Sequence, residues 1–368
     1  MCLHTAANLL LCAAYEFLHA AANVSLRAAY EFLRAAAVSL CAAAVFLTGC
    51  GRLGLSGGSK ATVPEYVLTY AENQTSDYPT TQGADKFAQL VKEKSDGRII
   101  IQVHPNAELG TENETAEQLT FGGLDMVRVS LATMGDYSDM SLILQMPYIY
   151  TGSEHMWKVL NSDIGQKVMD SFDGTGIVPL SWYDAGARSF YMTDKPIRQL
   201  GDFQGMRVRV QQSAVMQDMI SVLGAVPVPI PYEQVYSELQ KGTIDGAENN
   251  VSSYETMKHY EIAKYFTEDE HMRVPEMQII SQKTWDRLSA EDRKIIRESA
   301  EESALYERKL WAEQEKTAAR KVEEAGTEFI ELSAEEKDKF RNAMSPLYEK
   351  YCGNYTDLLD QIVAMGKE

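Results

Sequence analysis

The stretch RIIIQVHPNAELGTENETAEQLTFGGLDMVRVS, residues 98–130, decides the fold class. Its opening, Arg98–His104, is rich in β-favouring side chains and reads as a strand. Pro105-Asn106 turns the chain. Glu112–Leu119 follows as a helix that runs out at Gly122-Gly123, and Asp125–Leu131 reads as a second strand. Strand, helix, strand in a unit of this length is the signature of an α/β domain with a mostly parallel sheet.

The same alternation extends outward. Tyr66–Ala71 reads as a short strand, and Pro79–Ser95 carries Ala84, Phe87, Ala88, Leu90 and Val91 at helical spacing. Helices are expected through His155–Leu160 and Ile164–Phe172, and a strand at Ile177–Tyr183. After Arg188 the pattern restarts, with strands Ser189–Met192 and Arg207–Val210 and a helix Ala214–Leu223. A turn with three prolines spans Gly224–Pro231, and Glu233–Lys241 is the next helix. Gly242–Gly246 then leads into a strand end. Residues 290–326 lack glycine and proline before Gly326 and read as one helix. At 1.5 Å per residue it would exceed ~50 Å, longer than one small domain, and would lie across two.

The chain of 368 residues is long enough for two cores. Its net charge of −18 argues against nucleic acid and against anionic lipid. Cys2, Cys12, Cys41 and Cys50 lie in the first fifty residues, and Cys352 stands alone beyond them, so the body has no internal disulfide. No cysteine–histidine spacing fits a metal, and the six histidines form no ligand pair. Nothing calls for a cofactor. Residues 35–50, AAAVSLCAAAVFLTGC, follow Arg34 and end in Leu47-Thr48-Gly49-Cys50, which resembles a bacterial lipobox. The expectation is a leader over 1–50, lipid on Cys50 and a flexible tether over 51–64. An ordinary signal peptide with a chance cysteine is the alternative. AAYEFL occurs at 13–18 and again at 28–33; the duplication reads as a long leader or, preferably, as over-called sequence ahead of a natural start expected near Leu33.

No nucleophile elbow, phosphate loop or dinucleotide fingerprint is present, and no residue is assigned a catalytic role. The informative residues are cations beside aromatics. WYDAGARSFY (182–191) sets Arg188 among rings at a strand end. GMRVRV (205–210) puts Arg207 and Arg209 on one strand face and Val208 and Val210 on the other. DGAENN (245–250) is a turn rich in amides. A guanidinium forks onto both oxygens of a carboxylate while flat side chains cover an apolar face. The same residues also admit a purely structural pairing of Arg188 or Arg209 with Asp184 or Glu248.

These segments resemble the DctP-type substrate receptors of tripartite ATP-independent (TRAP) transporters. The resemblance runs from about Tyr66 to the C-terminus. It is carried by KFAQLVKEKSDGRIIIQVHPNAELG (86–110), GARSFY (186–191), GMRVRV (205–210), GAVPVPIPYEQVYSELQKGTIDGAEN (224–249) and the long helix, in order and spacing. It implies a two-domain periplasmic-binding-protein-like α/β fold with crossing hinge strands and a helix spanning both domains. The expected division is 65–185 plus about 275–314 for the first domain, and 186–274 plus about 315–368 for the second.

By position the resemblance implies that Arg209 binds the substrate carboxylate, with Arg188 as a second arginine, Asn249 as an amide and Tyr232 as an aromatic. Asn73 corresponds to the first-strand amide, with Glu72 beside it, and Glu112 to the position after the LG turn. Where sialic-acid receptors carry an acid this chain has Ser130, with Arg128 on the same strand. Together with AEN (71–73) and the Tyr183 segment, this resembles relatives that bind hexuronates. The expectation is an extracytoplasmic monomer, not an enzyme. It hands a sugar acid to ion-coupled TRAP permease subunits and touches the membrane only through lipid on Cys50. A C4-dicarboxylate or other simple acid is the alternative ligand, and presentation to a membrane kinase the alternative role.

Overall fold

The computed structural model describes residues 63–367. The leader, the lipid on Cys50 and all but residues 63 and 64 of the 51–64 tether lie outside the described residues. The strands are β1 Tyr66–Ala71, β2 Ile99–His104, β3 Met126–Ser130, β4 Ile177–Tyr183, β5 Arg188–Met192, β6 Arg207–Val210, β7 Val226–Pro229, β8 Gly246–Asn249, β9 Tyr265–Met272, β10 Glu276–Ser281 and β11 Glu328–Ile330. They form two sheets, ordered β2-β1-β3-β10-β4 and β11-β9-β5-β8-β6-β7.

The deciding stretch folds as read: β2, helix Glu112–Thr120, β3. Thr111 caps that helix and forms a capping box with Glu114, which fixes where the chain leaves the turn. β1 lies between β2 and β3 and is parallel to both, with Tyr70 beside Met126 and Ala71 beside Val127. One step on, Glu72 just past the end of β1 comes level with Arg128 within β3, which sets the two side by side. In the second sheet β6 is parallel to β7 and β8, with Arg209 beside Ala247. Both sheets thus turn the carboxyl ends of parallel strands toward one cleft, where open α/β sheets place ligands.

Two strands cross between the lobes side by side. β4 and β10 are neighbours in the first sheet, with Tyr183 opposite Glu276. β5 and β9 are neighbours in the second, with Arg188 opposite Met272. The connecting segments, 184–187 and 273–275, are short. Gly186 sits there at φ 61°, and a Cβ on it would lie 2.4 Å from Glu315 Oε1 and 2.9 Å from Trp311 Nε1. Glycine answers both the left-handed backbone and the close pass of the helix.

The long helix is continuous over Ala290–Glu324, 35 residues or about 52 Å. Ser289 caps it through Asp292 N at 3.1 Å. Its buried stripe, Ile296, Ala300, Ser303, Glu307, Trp311, Ala318 and Val322, follows helical spacing. The helix packs on Pro79–Lys94 and β4 of the first lobe and on helix Val251–Thr256 of the second.

The structure corrects one reading. Gly224–Pro231 is not only a turn, because it contains β7. The prolines fit because β7 is an edge strand, which need not donate hydrogen bonds on its outer side. The strands β9, β10 and β11 and three terminal helices, Ala334–Ala343, Ser345–Cys352 and Thr356–Met365, were not anticipated. The last of these packs on helix Ser153–Leu160 of the first lobe, where His155 Nε2 lies 2.7 Å from the Ile362 carbonyl. Among the described residues no helix is long and apolar enough to cross a membrane.

Candidate ligand-binding site

The strand ends enclose a cavity lined by residues of both lobes. Its two ends differ in charge. At the second-lobe end β6 presents Arg209, 1% exposed. The strand's alternation puts Val208 and Val210 in the core and leaves the arginine side free for the cleft. Arg209 Nε and NH2 donate to the Ile230 carbonyl at 3.0 and 2.8 Å. Its NH1 is buried and, among the described residues, has no hydrogen-bond partner. Burial pulls its pKa below the ordinary arginine value against the opposing pull of Glu248, yet an arginine stays charged at any physiological pH. An unpaired buried cation is costly unless an anion completes it.

Arg188, at the start of β5, is held differently. Its Nε donates to Glu248 Oε2 at 2.5 Å, and its NH2 donates to Glu248 Oε1 at 2.8 Å and to the Glu248 carbonyl at 3.1 Å. Its NH1 donates to Asn249 Oδ1 at 3.0 Å. The structural pairing with Glu248 therefore holds for Arg188 but not for Arg209. A guanidinium has five donor hydrogens, so one NH1 hydrogen of Arg188 is left for the cavity. Glu248 is buried; despite that burial, the charges of Arg188 and His271 hold its carboxyl down to about 2. Burial works against the charged form of His271, but Asp269 and Glu248 lift it to about 9. Asn249 and Tyr232 also line the cavity. Among the described residues none meets the Tyr232 hydroxyl in full hydrogen-bond geometry, although Ser253 and Gln74 lie close enough to oppose the rise that burial gives it, to about 12.

The first-lobe end is acidic. Arg128 on β3 is surrounded by three glutamates. Its Nε donates to both oxygens of Glu72, at 3.0 and 3.1 Å. Its NH1 donates to Glu112 at 3.0 Å and to Glu276 at 2.6 Å, and its NH2 donates to Glu72 and Asn73. Every donor of Arg128 is thereby engaged. Burial raises the Glu276 carboxyl to about 7, with Arg128 opposing and Glu112 and Glu72 adding to the rise.

Of the expected site residues, Asn73, Glu112, Arg128, Arg188, Arg209, Tyr232 and Asn249 line one cavity. Glu72, Ser130 and Tyr183 do not. Glu72 lies behind Arg128. Ser130 caps the short helix Leu131–Met134 and donates its N–H to Glu112 at 2.9 Å. Tyr183 is fully buried, and its hydroxyl meets Ser303 of the long helix at 3.0 Å. These three hold the lining residues or the hinge. The reading missed Gln74, Tyr78, Gln211, Asn250, Ser253, Glu276 and Trp311. Gln74 and Gln211 follow flagged residues closely and were within reach. Glu276 and Trp311 sit in segments with no local sign of a site.

Two α/β lobes, a pair of crossing strands and a cleft holding an unpaired guanidinium define a solute-binding protein of the periplasmic type. The chain belongs to the DctP family, described as bacterial extracellular solute-binding protein, family 7, which it matches over residues 70–354. It is 34% identical over 281 residues to a solute-binding protein of Chromohalobacter salexigens, covering 76% of this chain and 83% of that one. Among solved structures it is similar to a TRAP periplasmic solute-binding protein of Xanthobacter autotrophicus with bound β-D-galacturonate. Identity is 36%, the TM-score is 0.78, and the match covers 81% of this chain and 99% of that one. A TRAP periplasmic solute-binding protein of Roseobacter denitrificans with bound β-D-glucuronate is 35% identical with a TM-score of 0.77, covering 81% and 98%. Family and neighbours are solute-binding receptors, not enzymes.

Proposed function

We propose that this protein captures a hexuronate outside the cytoplasm and delivers it unchanged to an ion-coupled TRAP permease. The observation that carries the reading is the partnerless NH1 of Arg209, buried in the cleft. A carboxylate supplies what that group lacks, and a bidentate, charge-assisted pair would set the ligand's direction. The remaining NH1 hydrogen of Arg188 and the amide of Asn249 stand beside it as further donors. The hexuronates bound to the two similar structures support the ligand class.

In this reading the lobes are 65–185 plus about 275–314 and 186–274 plus about 315–368, and they close about the crossing strands. Closure excludes water and strengthens each polar contact. Lipid on Cys50 would hold the receptor at the outer face of the cytoplasmic membrane, beside the permease. The reading assigns no catalytic residue.

A thermal-shift panel on the purified protein tests it. D-glucuronate or D-galacturonate should raise the melting temperature, because a ligand that binds only the folded state stabilises it by mass action. Glucose and galactose, which lack the carboxylate, should not. A shift with the neutral sugars equal to that with the acids would sink the carboxylate anchor. Turnover of the acid, followed by mass spectrometry, would sink the assignment as a receptor.

A further inference from the structure

We propose that the Arg128 end of the cleft is a charge filter, at which Glu112 and Glu276 accept ligand hydroxyls and repel a second carboxylate. The site would then select acids that carry one carboxylate and end in hydroxyls, and would discriminate against diacids of the same length. The proposal rests on the reading that the acid group sits at Arg209.

Three carboxylates, Glu72, Glu112 and Glu276, surround a single guanidinium. One negative charge is unbalanced there even with Glu276 protonated, and two when it is ionised. No donor of Arg128 remains for a ligand anion, since Nε, NH1 and NH2 are all engaged. Arg128 therefore positions the glutamates and offers the ligand nothing to clamp. The acceptors are different. Glu276 takes the Arg128 hydrogen bond on Oε2, and among the described residues no donor reaches its Oε1. Glu112 Oε2 receives only long contacts, from Thr133 at 3.2 Å and Gln211 at 3.5 Å. Open carboxylate oxygens in a buried cleft accept hydroxyl hydrogens well, but an approaching carboxylate would bring like charge against like. The opposite end holds Arg209 without a carboxylate partner. The cavity is thus polar along its length, and a ligand with acid at one end and hydroxyls at the other fits that polarity in one direction only. This is discrimination by a repulsive element as well as an attractive one.

Galactonate and galactarate isolate the effect. Both are linear, and they differ only in whether the sixth carbon carries a hydroxyl or a carboxylate. Each would be titrated as a competitor against a hexuronate whose direct binding has been measured. Galactonate should compete on the order of 100-fold better than galactarate, since like-charge juxtaposition commonly costs several kcal/mol. In Glu276→Gln the gap should narrow by roughly tenfold while hexuronate binding weakens. Equal competition by the two acids, or none by either, overturns the filter while leaving hexuronate capture standing. Absence of direct hexuronate binding would instead overturn the reading of the site. If Glu276→Gln does not fold, judged by circular dichroism, the wild-type gap decides alone. If it folds and the gap is unchanged, Glu276 is not part of the filter and the proposal fails.

Discussion

Arg207 and Arg209 leave the same face of β6, two residues apart, and the strand's alternation made both visible as candidates. Their surroundings separate them. Arg207 is partly exposed and pairs with Asp245, NH2 to Oδ1 at 2.5 Å, at the start of the strand. Arg209 is buried at the cleft with NH1 unpaired. Arg207→Ala should therefore change hexuronate affinity by less than about twofold, as for a surface ion pair. Calorimetric titration would show it, and a large loss would place Arg207 in the site. His271 gives a residue-scale prediction in pH. Its folded pKa of about 9 lies above the ordinary 6.5, so its contribution to stability is fully present below about pH 6.5 and is lost as pH rises through about 9. A rise of that size corresponds to about 3 kcal/mol for this fully buried group. Ligand-free stability, from urea unfolding, should fall across that window, and above about pH 7, beyond the titration of Glu276, the fall should be much smaller in His271→Gln. An equal slope in the variant would mean that another group carries it. At this scale the sequence was legible where charge and alternation coincide, as at Arg209, Arg188 and Asn249. It was silent at Trp311, which reaches the cleft only because a helix far along the chain passes under the hinge.

Elements with a local rule were read close to their ends: β1, β4 and β6, the helices near 79–94 and 214–222, and the long helix with its missing glycines and prolines. The crossing strands were harder for physical reasons. β10, EMQIIS, is buried along its whole length and shows no alternation to read. β9, YFTEDEHM, carries Glu268 and Glu270 outward and looks like a loop. β7 hides behind its prolines. The long helix and the crossing segment meet at Gly186, which tests how the elements are joined. Gly186→Ala adds a Cβ at φ 61° within 2.9 Å of the helix's Trp311. It should cost about 1–3 kcal/mol in urea unfolding, the range for a strained backbone position. No loss would mean that the helix can withdraw from the crossing without cost.

Across the whole molecule a net charge of −18 surrounds a cleft whose second-lobe end is cationic, so the anion site is local and not a property of the surface. The lobes touch across the cleft. Tyr78 and Ser253 hydroxyls lie 2.8 Å apart, and Gln211 Nε2 reaches Glu112 Oε2 at 3.5 Å. If the lobes part about the crossing strands, as the proposed function requires, these contacts are lost. Tyr78→Phe should weaken ligand binding by roughly 2- to 10-fold, the worth of one net hydrogen bond, mainly through faster release. Stopped-flow release rates would check this, and unchanged rates would remove Tyr78 from the closure. The central claim is that the buried arm of Arg209 awaits a carboxylate. It is tested most directly by titrating D-galacturonate and D-glucuronate into the wild-type protein and Arg209→Ala side by side in a calorimeter. The account predicts saturable binding of at least one acid to the wild type and a loss of at least about 2–5 kcal/mol in the variant, with the variant still folded. Equal affinity in the two proteins would contradict it.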